Sequence, residues 1–283
     1  MNHGHTTPAR PRNGRSGRIA PLGALLLVVP LGVALLGPAL SAPATAGAFA
    51  PYTGRGDEHP LGTDGLGRDV LALLLHGGRS ALGMSLGAVA VAYLVGGALG
   101  LLAATSRRRW IDELLMRPLD VLLPLPSLLV ISVVAVGWRG SPVAIALAVA
   151  SVNVPAVARL VRAAALDAAS GPVTEALWMQ GESRARIHLG HVARSALSPV
   201  AADAGTRITL AVFLVASANF LGLGLDPTSP DWAVSVSRSS EGLLIQPWAV
   251  LAPAAMLVMF TVGLNLLADR LLARTRRTRE GAR

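Results

Sequence analysis

LGMSLGAVAVAYLVGGALGLLAAT, Leu82 to Thr105, contains no charged side chain. Wound as an α-helix at 1.5 Å per residue it is about 36 Å long, enough to cross about 30 Å of hydrocarbon. Its apolar residues do not alternate with polar ones, so it does not read as a strand of a membrane β-barrel. Its glycines form two small-xxx-small pairs, Gly83 with Gly87 and Gly96 with Gly100, which suit close helix approach.

Runs of the same kind recur on either side. Their approximate bounds are 19–40, 118–137, 141–162, 203–223 and 248–268. Across all 283 residues the chain is 52% hydrophobic and 14% charged, where a soluble domain carries about 25% charged residues. The expected fold is an all-α integral membrane protein with about six transmembrane helices.

The remaining pieces fit between these spans. Residues 1–18 are polar and rich in Arg, Gly and Pro, and read as a disordered tail. Residues 19–40 are the first span; a cleaved leader is the rival reading, with Arg15 and Arg18 before the apolar run and SAPATAGA after it. Residues 41–81 form an outer segment whose end, 70–75, is expected to be an interfacial helix with Asp69 at its positive end. A five-helix core covers 82–272 and includes a loop over 163–200, and a basic tail covers 273–283. Residues 224–246 read as polar and turn-rich.

Every basic side chain is arginine, 25 in all, and the net charge is +9. The arginines cluster beside the spans, at Arg10–Arg18, Arg107–Arg109, Arg184–Arg194 and Arg270–Arg283. With six spans these clusters share one side, which the positive-inside rule makes cytoplasmic, both termini included. A nucleic-acid-binding face would group them differently.

Several chemistries are disfavoured. There is no cysteine, hence no disulfide or thiolate site. There is no lysine, so the chain cannot supply its own P-loop. GMSLG, Gly83 to Gly87, matches a nucleophile elbow, but around Ser85 it lacks the strand–turn–helix context, and no histidine lies within a span. His188 and His191 are three apart without a companion carboxylate at metal-site spacing. The central parts of spans two to six carry no Asp or Glu, where an ion-coupled carrier usually needs one. Asp120, Arg159, Asp203, Arg207 and Asp269 sit near span ends. Asn153, Asn219 and Asn265 are the notable polar interior residues, suited to interhelical hydrogen bonds or, for Asn153 and Asn219, to a translocation path.

One polar stretch interrupts the apolar chain: TEALWMQGESRARIHLGHV, Thr174 to Val192. Gly171-Pro172 suits a helix start. Gly181 interrupts the helix, and Ser183 can cap a second short helix running through Ile187. The apolar surface with basic flanks reads as a partner site or as an amphipathic piece lying on lipid.

EALWMQG, Glu175 to Gly181, resembles the Glu-Ala-Ala–Gly loop of ATP-binding-cassette importer permeases. It has Glu175 and Ala176, then Gly181 six positions after the Glu, and His191-Val192 matches a downstream His-apolar pair. Leu177 stands where Ala is usual, Trp178 where Arg is common, and Ala193-Arg194-Ser195 where Leu-Pro-Asn is usual. HPLGTDGLGRDVL (59–71), WIDELLMRPLDVLLPLPSLL (110–129), NFLGLG (219–224), DWAVSV, QPWAVLAPA and NLLAD are similar, in order, to segments of the dipeptide, oligopeptide and nickel permeases. The match is to the second of their two permease subunits and covers roughly residues 48–272.

This resemblance implies a type I importer (MetI-like) fold and a transport subunit without catalytic, cofactor or metal sites of its own. The implied partners are a second homologous permease, two ATPase subunits that bind the ATP, and an extracytoplasmic substrate-binding protein. Glu175, Ala176, Leu177, Gly181, Ser183 and Ile187 would form the element that docks on the ATPase. Peptides are the expected cargo, with nickel or a metal chelate next. A secondary carrier and an intramembrane hydrolase are the alternatives.

Overall fold

The computed structural model describes residues 19–106 and 108–280. The polar tail 1–18, Arg107 and the end of the basic tail, 281–283, lie outside the described residues, as does the side chain of Asp269. Among the described residues the chain is helical, without strands. The elements are α1 (Ile19–Leu40), α2 (Val70–Thr105), α3 (Arg109–Leu122), α4 (Ser127–Gly137), α5 (Pro142–Ala169), α6 (Pro172–Met179), a π-helical segment (Arg186–Val192), α7 (Ala193–Phe220), α8 (Trp232–Ser239) and α9 (Trp248–Glu280). Five of these helices are long and apolar enough to cross a membrane, and six spans result if α3 and α4 together make one.

The interfacial helix expected over 70–75 is instead the start of α2. That helix runs unbroken for 36 residues, about 54 Å. Asp69 caps it, its carboxylate accepting from the N–H groups of Leu71 and Ala72. Val70, Ala72, Leu73 and Leu74 are buried in the protein rather than laid along a surface. Gly77 and Gly78 do not stop the helix but let Trp232 pack closely on it, and the protein core takes up its apolar face.

α2 packs most extensively on α5. A Cβ at Gly96 would come within 2.8 Å of the Val154 carbonyl oxygen, and one at Gly100 within 2.4 Å of the Ala158 carbonyl oxygen. Only glycine permits this approach. Gly83 and Gly87 make no such contact; they border an open apolar groove beside Val143 and Leu147. Ser85 is buried, with its hydroxyl donating to the Ala81 carbonyl.

The continuous span expected over 118–137 is broken: α3 and α4 meet at 89°. Pro124 and Pro126 lack the N–H groups that would carry the helix through. Asp112 and Asp120, about two turns apart on α3, pair with Arg162 and Arg159, less than one turn apart on α5. α3 therefore crosses α5 steeply. The Asp112–Arg162 pair is bidentate, with both contacts at 2.6 Å.

The span-end charges Asp203 and Arg207 also pair, at 2.8 Å, and the Tyr93 hydroxyl on α2 donates to the same carboxylate. The ionic groups flanking the spans thus cross-brace α2, α3, α5 and α7.

Residues 224–246 hold more order than their composition suggests. Asp231 caps α8, and Trp232 is fully buried against α2. The segment before α2 is pinned to this region. A buried Asp64–Arg68 ion pair reaches the Thr228 carbonyl through Arg68, and Gln246 donates to the Thr53 carbonyl.

Candidate functional site: the loop between α5 and α7

The loop expected over 163–200 is largely helical. α5 continues to Ala169 and α7 begins at Ala193, so the irregular part is short. α6 starts at Gly171-Pro172, with the proline at a first-turn position that needs no donor. The hydroxyl of buried Thr174 donates to the Ala168 carbonyl at 2.8 Å, tying α6 to the end of α5. Glu175 is exposed in the first turn of α6, favourably placed against the helix dipole.

Gly181 ends α6 in a defined way. Its φ is +77°, its N–H donates to the Trp178 carbonyl at 3.0 Å, and the Glu182 N–H donates to the Leu177 carbonyl at 3.1 Å. That pair of bonds is a Schellman motif, which satisfies two terminal carbonyls and turns the chain sharply.

The separate second helix expected from Ser183 through Ile187 does not exist as such. Ser183 caps helical residues, its hydroxyl accepting from the Arg186 N–H at 3.4 Å, but these pass through the π-helical segment directly into α7. The Ala193 N–H donates back to the His188 carbonyl, the five-residue step of a π-helix. The loop is thereby joined rigidly to a spanning helix.

The candidate residues divide between two faces. Ile187 is 1% exposed and, with Val192 and Ala165, forms a small core that Leu177 packs against. These residues anchor the loop from inside. The face of α6 turned away from this core carries Glu175, Trp178 and Met179, the last 79% exposed, while Val173 is exposed separately in the first turn. The Arg184 guanidinium lies 5.4 Å above the Trp178 ring and the His188 ring meets its edge, so a cation borders the apolar surface. The sequence pattern did not reveal this stack, because Arg184 and His188 reach Trp178 only after the chain reverses at Gly181. His191 borders a separate cleft of about 310 Å³ with Leu177, Glu182, Arg186 and Arg194. Glu182 and Arg186 pair across it at 3.0 Å.

The two asparagines lie elsewhere and both are buried. Asn153, on α5, donates to the Val149 carbonyl of its own helix. Asn219 ends α7, accepts from the Leu225 N–H, and borders a cleft of about 200 Å³ with Pro227, Ser237 and Arg238. Asn265, on α9, donates to the Thr261 carbonyl and is exposed. Among the described residues no three His, Asp or Glu side chains group as a metal site.

An exposed knob held on a rigid stem, beside a bundle of spanning helices, can transmit force. The family described as binding-protein-dependent transport system inner membrane component matches residues 96–277. The chain is 32% identical over 260 residues to the dipeptide transport system permease protein DppC of Alkalihalophilus pseudofirmus, which covers 91% of this chain and 85% of that one. It is 33% identical over 212 residues to the di/tripeptide transport system permease protein DppC of Pseudomonas aeruginosa, covering 75% of this chain and 69% of that one. To the glutathione transport system permease protein GsiD of Pectobacterium atrosepticum it is 34% identical over 220 residues, covering 77% of this chain and 72% of that one. The span-forming helices and the anchored loop thus belong to a multi-pass membrane protein of the binding-protein-dependent transport system inner membrane component family, a permease subunit of an ATP-binding-cassette importer.

Proposed function

We propose that this subunit forms half of a peptide importer. Its partners in this reading are a second homologous permease, two ATPase subunits that bind the ATP, and an extracytoplasmic binding protein that delivers the cargo. Both termini and the α5–α7 loop face the cytoplasm, consistent with the placement of arginines beside the spans. Peptide cargo is supported by the names of the relatives, which specify dipeptide, di/tripeptide and glutathione transport.

The observation that carries the reading is the outer face of α6. Val173, Trp178 and Met179 stand exposed on a helix whose inner face is locked by Thr174, Leu177 and Ile187. A groove on an ATPase subunit takes up that face. When the ATPases close around ATP, α6 moves as a unit with α5 and α7, and the bundle alternates its access from outside to inside. Glu175, Ala176, Gly181 and Ser183 hold the shape of the docking piece. Asn219, bordering the cleft with Pro227, Ser237 and Arg238, and Asn153, buried on α5, are the polar groups this reading assigns to the path. The chain performs no covalent step.

The test is a crosslink. Met179→Cys in the assembled transporter should join an engineered cysteine on an ATPase subunit, and ATP should change the yield. Labelled dipeptide uptake into vesicles should require both ATPases. Uptake driven by a proton gradient without them would overturn the reading in favour of a secondary carrier.

A further inference from the structure

α3 carries three different faces around one helix. At about 100° per residue, Asp112, Met116 and Leu119 share one side. That side packs on α5: Met116 and Leu119 are buried against it, and Asp112 pairs with Arg162. Arg109, Glu113 and Arg117 form a charged strip beside it. Glu113 pairs with both arginines, which are 93% and 77% exposed. The remaining arc is apolar and uncovered. Trp110, Leu114 and Val121 fall within about 40° of one another and are 56%, 62% and 68% exposed.

The ion pairs fix the level of α3 along the bundle. Residues 140–158 lie between Arg139 and Arg159 and carry no charge. They form the crossing made by α5, and as helix they measure about 28 Å, against about 30 Å of hydrocarbon. Arg159 and Arg162 therefore mark the edge of that layer nearer the α5–α7 loop. Asp120 and Asp112 bind them, so α3 lies at the same edge. Between its two pairs the chain advances about 12 Å along α3 but only about 4.5 Å along α5. α3 thus runs across α5, along the membrane face and not through it. The charge-free residues 121–138, which are α4 and its flanks, are left to make the crossing. An exposed apolar arc beside a charged strip, at this level, is the pattern of a helix lying in the interface. Tryptophan favours the same boundary.

We propose that α3 is an interfacial helix that binds the phospholipid surface. Trp110, Leu114 and Val121 seat among the upper acyl chains, and Arg109 and Arg117 meet lipid phosphates. This sets the height of α5, which α3 grips through Asp112 and Asp120. It requires a membrane-spanning subunit but no particular cargo.

The chain has no cysteine, so single cysteines on it can carry an environment-sensitive fluorophore without background from this subunit. Leu114→Cys and Val121→Cys report the apolar arc and Arg117→Cys the charged strip. Val28→Cys, exposed midway along α1, reports a spanning helix. The labelled subunit is reconstituted in the assembled importer, in phosphatidylcholine vesicles. Nitroxides at the top or the end of the acyl chains, or iodide in the water, serve as quenchers. The labels at Leu114→Cys and Val121→Cys should lose most fluorescence to the shallow nitroxide and little to iodide. Arg117→Cys should lose most to iodide, and Val28→Cys most to the deep nitroxide. Two positions on the arc keep the test valid should one variant express poorly. Quenching of both arc labels chiefly by the deep nitroxide would place α3 inside the crossing and overturn the proposal. Quenching by iodide alone would place it in water, and protection from every quencher would place it under a partner subunit; either result overturns it too. Dipeptide uptake by the same vesicles checks the cargo separately, and its failure leaves the quenching result standing.

Discussion

The indole N–H of Trp232 donates to the Leu74 carbonyl at 2.8 Å, joining α8 to the first turns of α2 across 158 residues of sequence. The ring lies so close to α2 that a Cβ at Gly78 would come within 2.6 Å of it. Trp232→Ala should destabilise the protein by about 3–5 kcal/mol through the lost packing and the cavity left behind. Trp232→Phe, which keeps most of the volume and loses the hydrogen bond, should cost less, nearer 1 kcal/mol from that bond. Thermal melting in detergent distinguishes them; equal, small shifts would count against Trp232 as the fastening point.

Gly181 has open space around the position of a Cβ, but its φ of +77° strains any β-branched residue. Asn tolerates this region far better. Gly181→Val should therefore abolish uptake while membrane insertion stays normal, and Gly181→Asn should retain much of it. Equal activities of the two variants would mean that the turn is not what matters there.

Ile187 and Met179 should separate anchoring from docking. Ile187→Ala removes a core side chain and should lower stability by about 2–5 kcal/mol. Met179→Ala, at an exposed position, should leave the melting temperature within experimental error yet reduce ATPase recovery on co-purification. A stability loss in the second variant would place Met179 in the core of the working complex.

Glu175→Arg reverses an exposed charge in the first turn of α6. The helix-dipole effect alone is about 0.3–1 kcal/mol and should leave the fold intact. ATPase subunits should nevertheless co-purify less well, and unchanged recovery would argue against direct contact at this position.

Asp231 gives the region around α8 a pH dependence. Burial pushes its carboxyl above the ordinary range, opposed by the Ser80 hydroxyl and the N–H groups of Ala233 and Val234. The folded state thus holds a proton that the unfolded state releases near pH 4. This contribution to stability is full below the unfolded value and is lost as pH rises through the raised folded one. Asp231→Asn keeps a capping side chain and should flatten melting temperature against pH across that window. An unchanged profile would assign the dependence to other groups.

Much of the bundle was legible as runs of apolar residues, because each spanning helix satisfies its backbone internally and must be apolar over a fixed length. The α5–α7 loop was legible because a polar interruption with Pro172 and Gly181 marks a helix start and stop. The broken third span was misread as continuous, since an apolar run reports hydrophobicity and not direction; Pro124 and Pro126 were the available signal. The long α2 was misplaced because its first turns can be read equally well as surface or as core.

The sequence by itself determined a many-helix membrane protein, the family, and the position of the polar α5–α7 loop, all properties of local pattern. Tertiary structure alone decided that Ile187 faces inward while Met179 faces out, that Arg184 covers Trp178, and that Asp120 meets Arg159. Those outcomes depend on how helices cross and where the chain reverses. Residues far apart in sequence then share one dielectric environment, and no single segment encodes that.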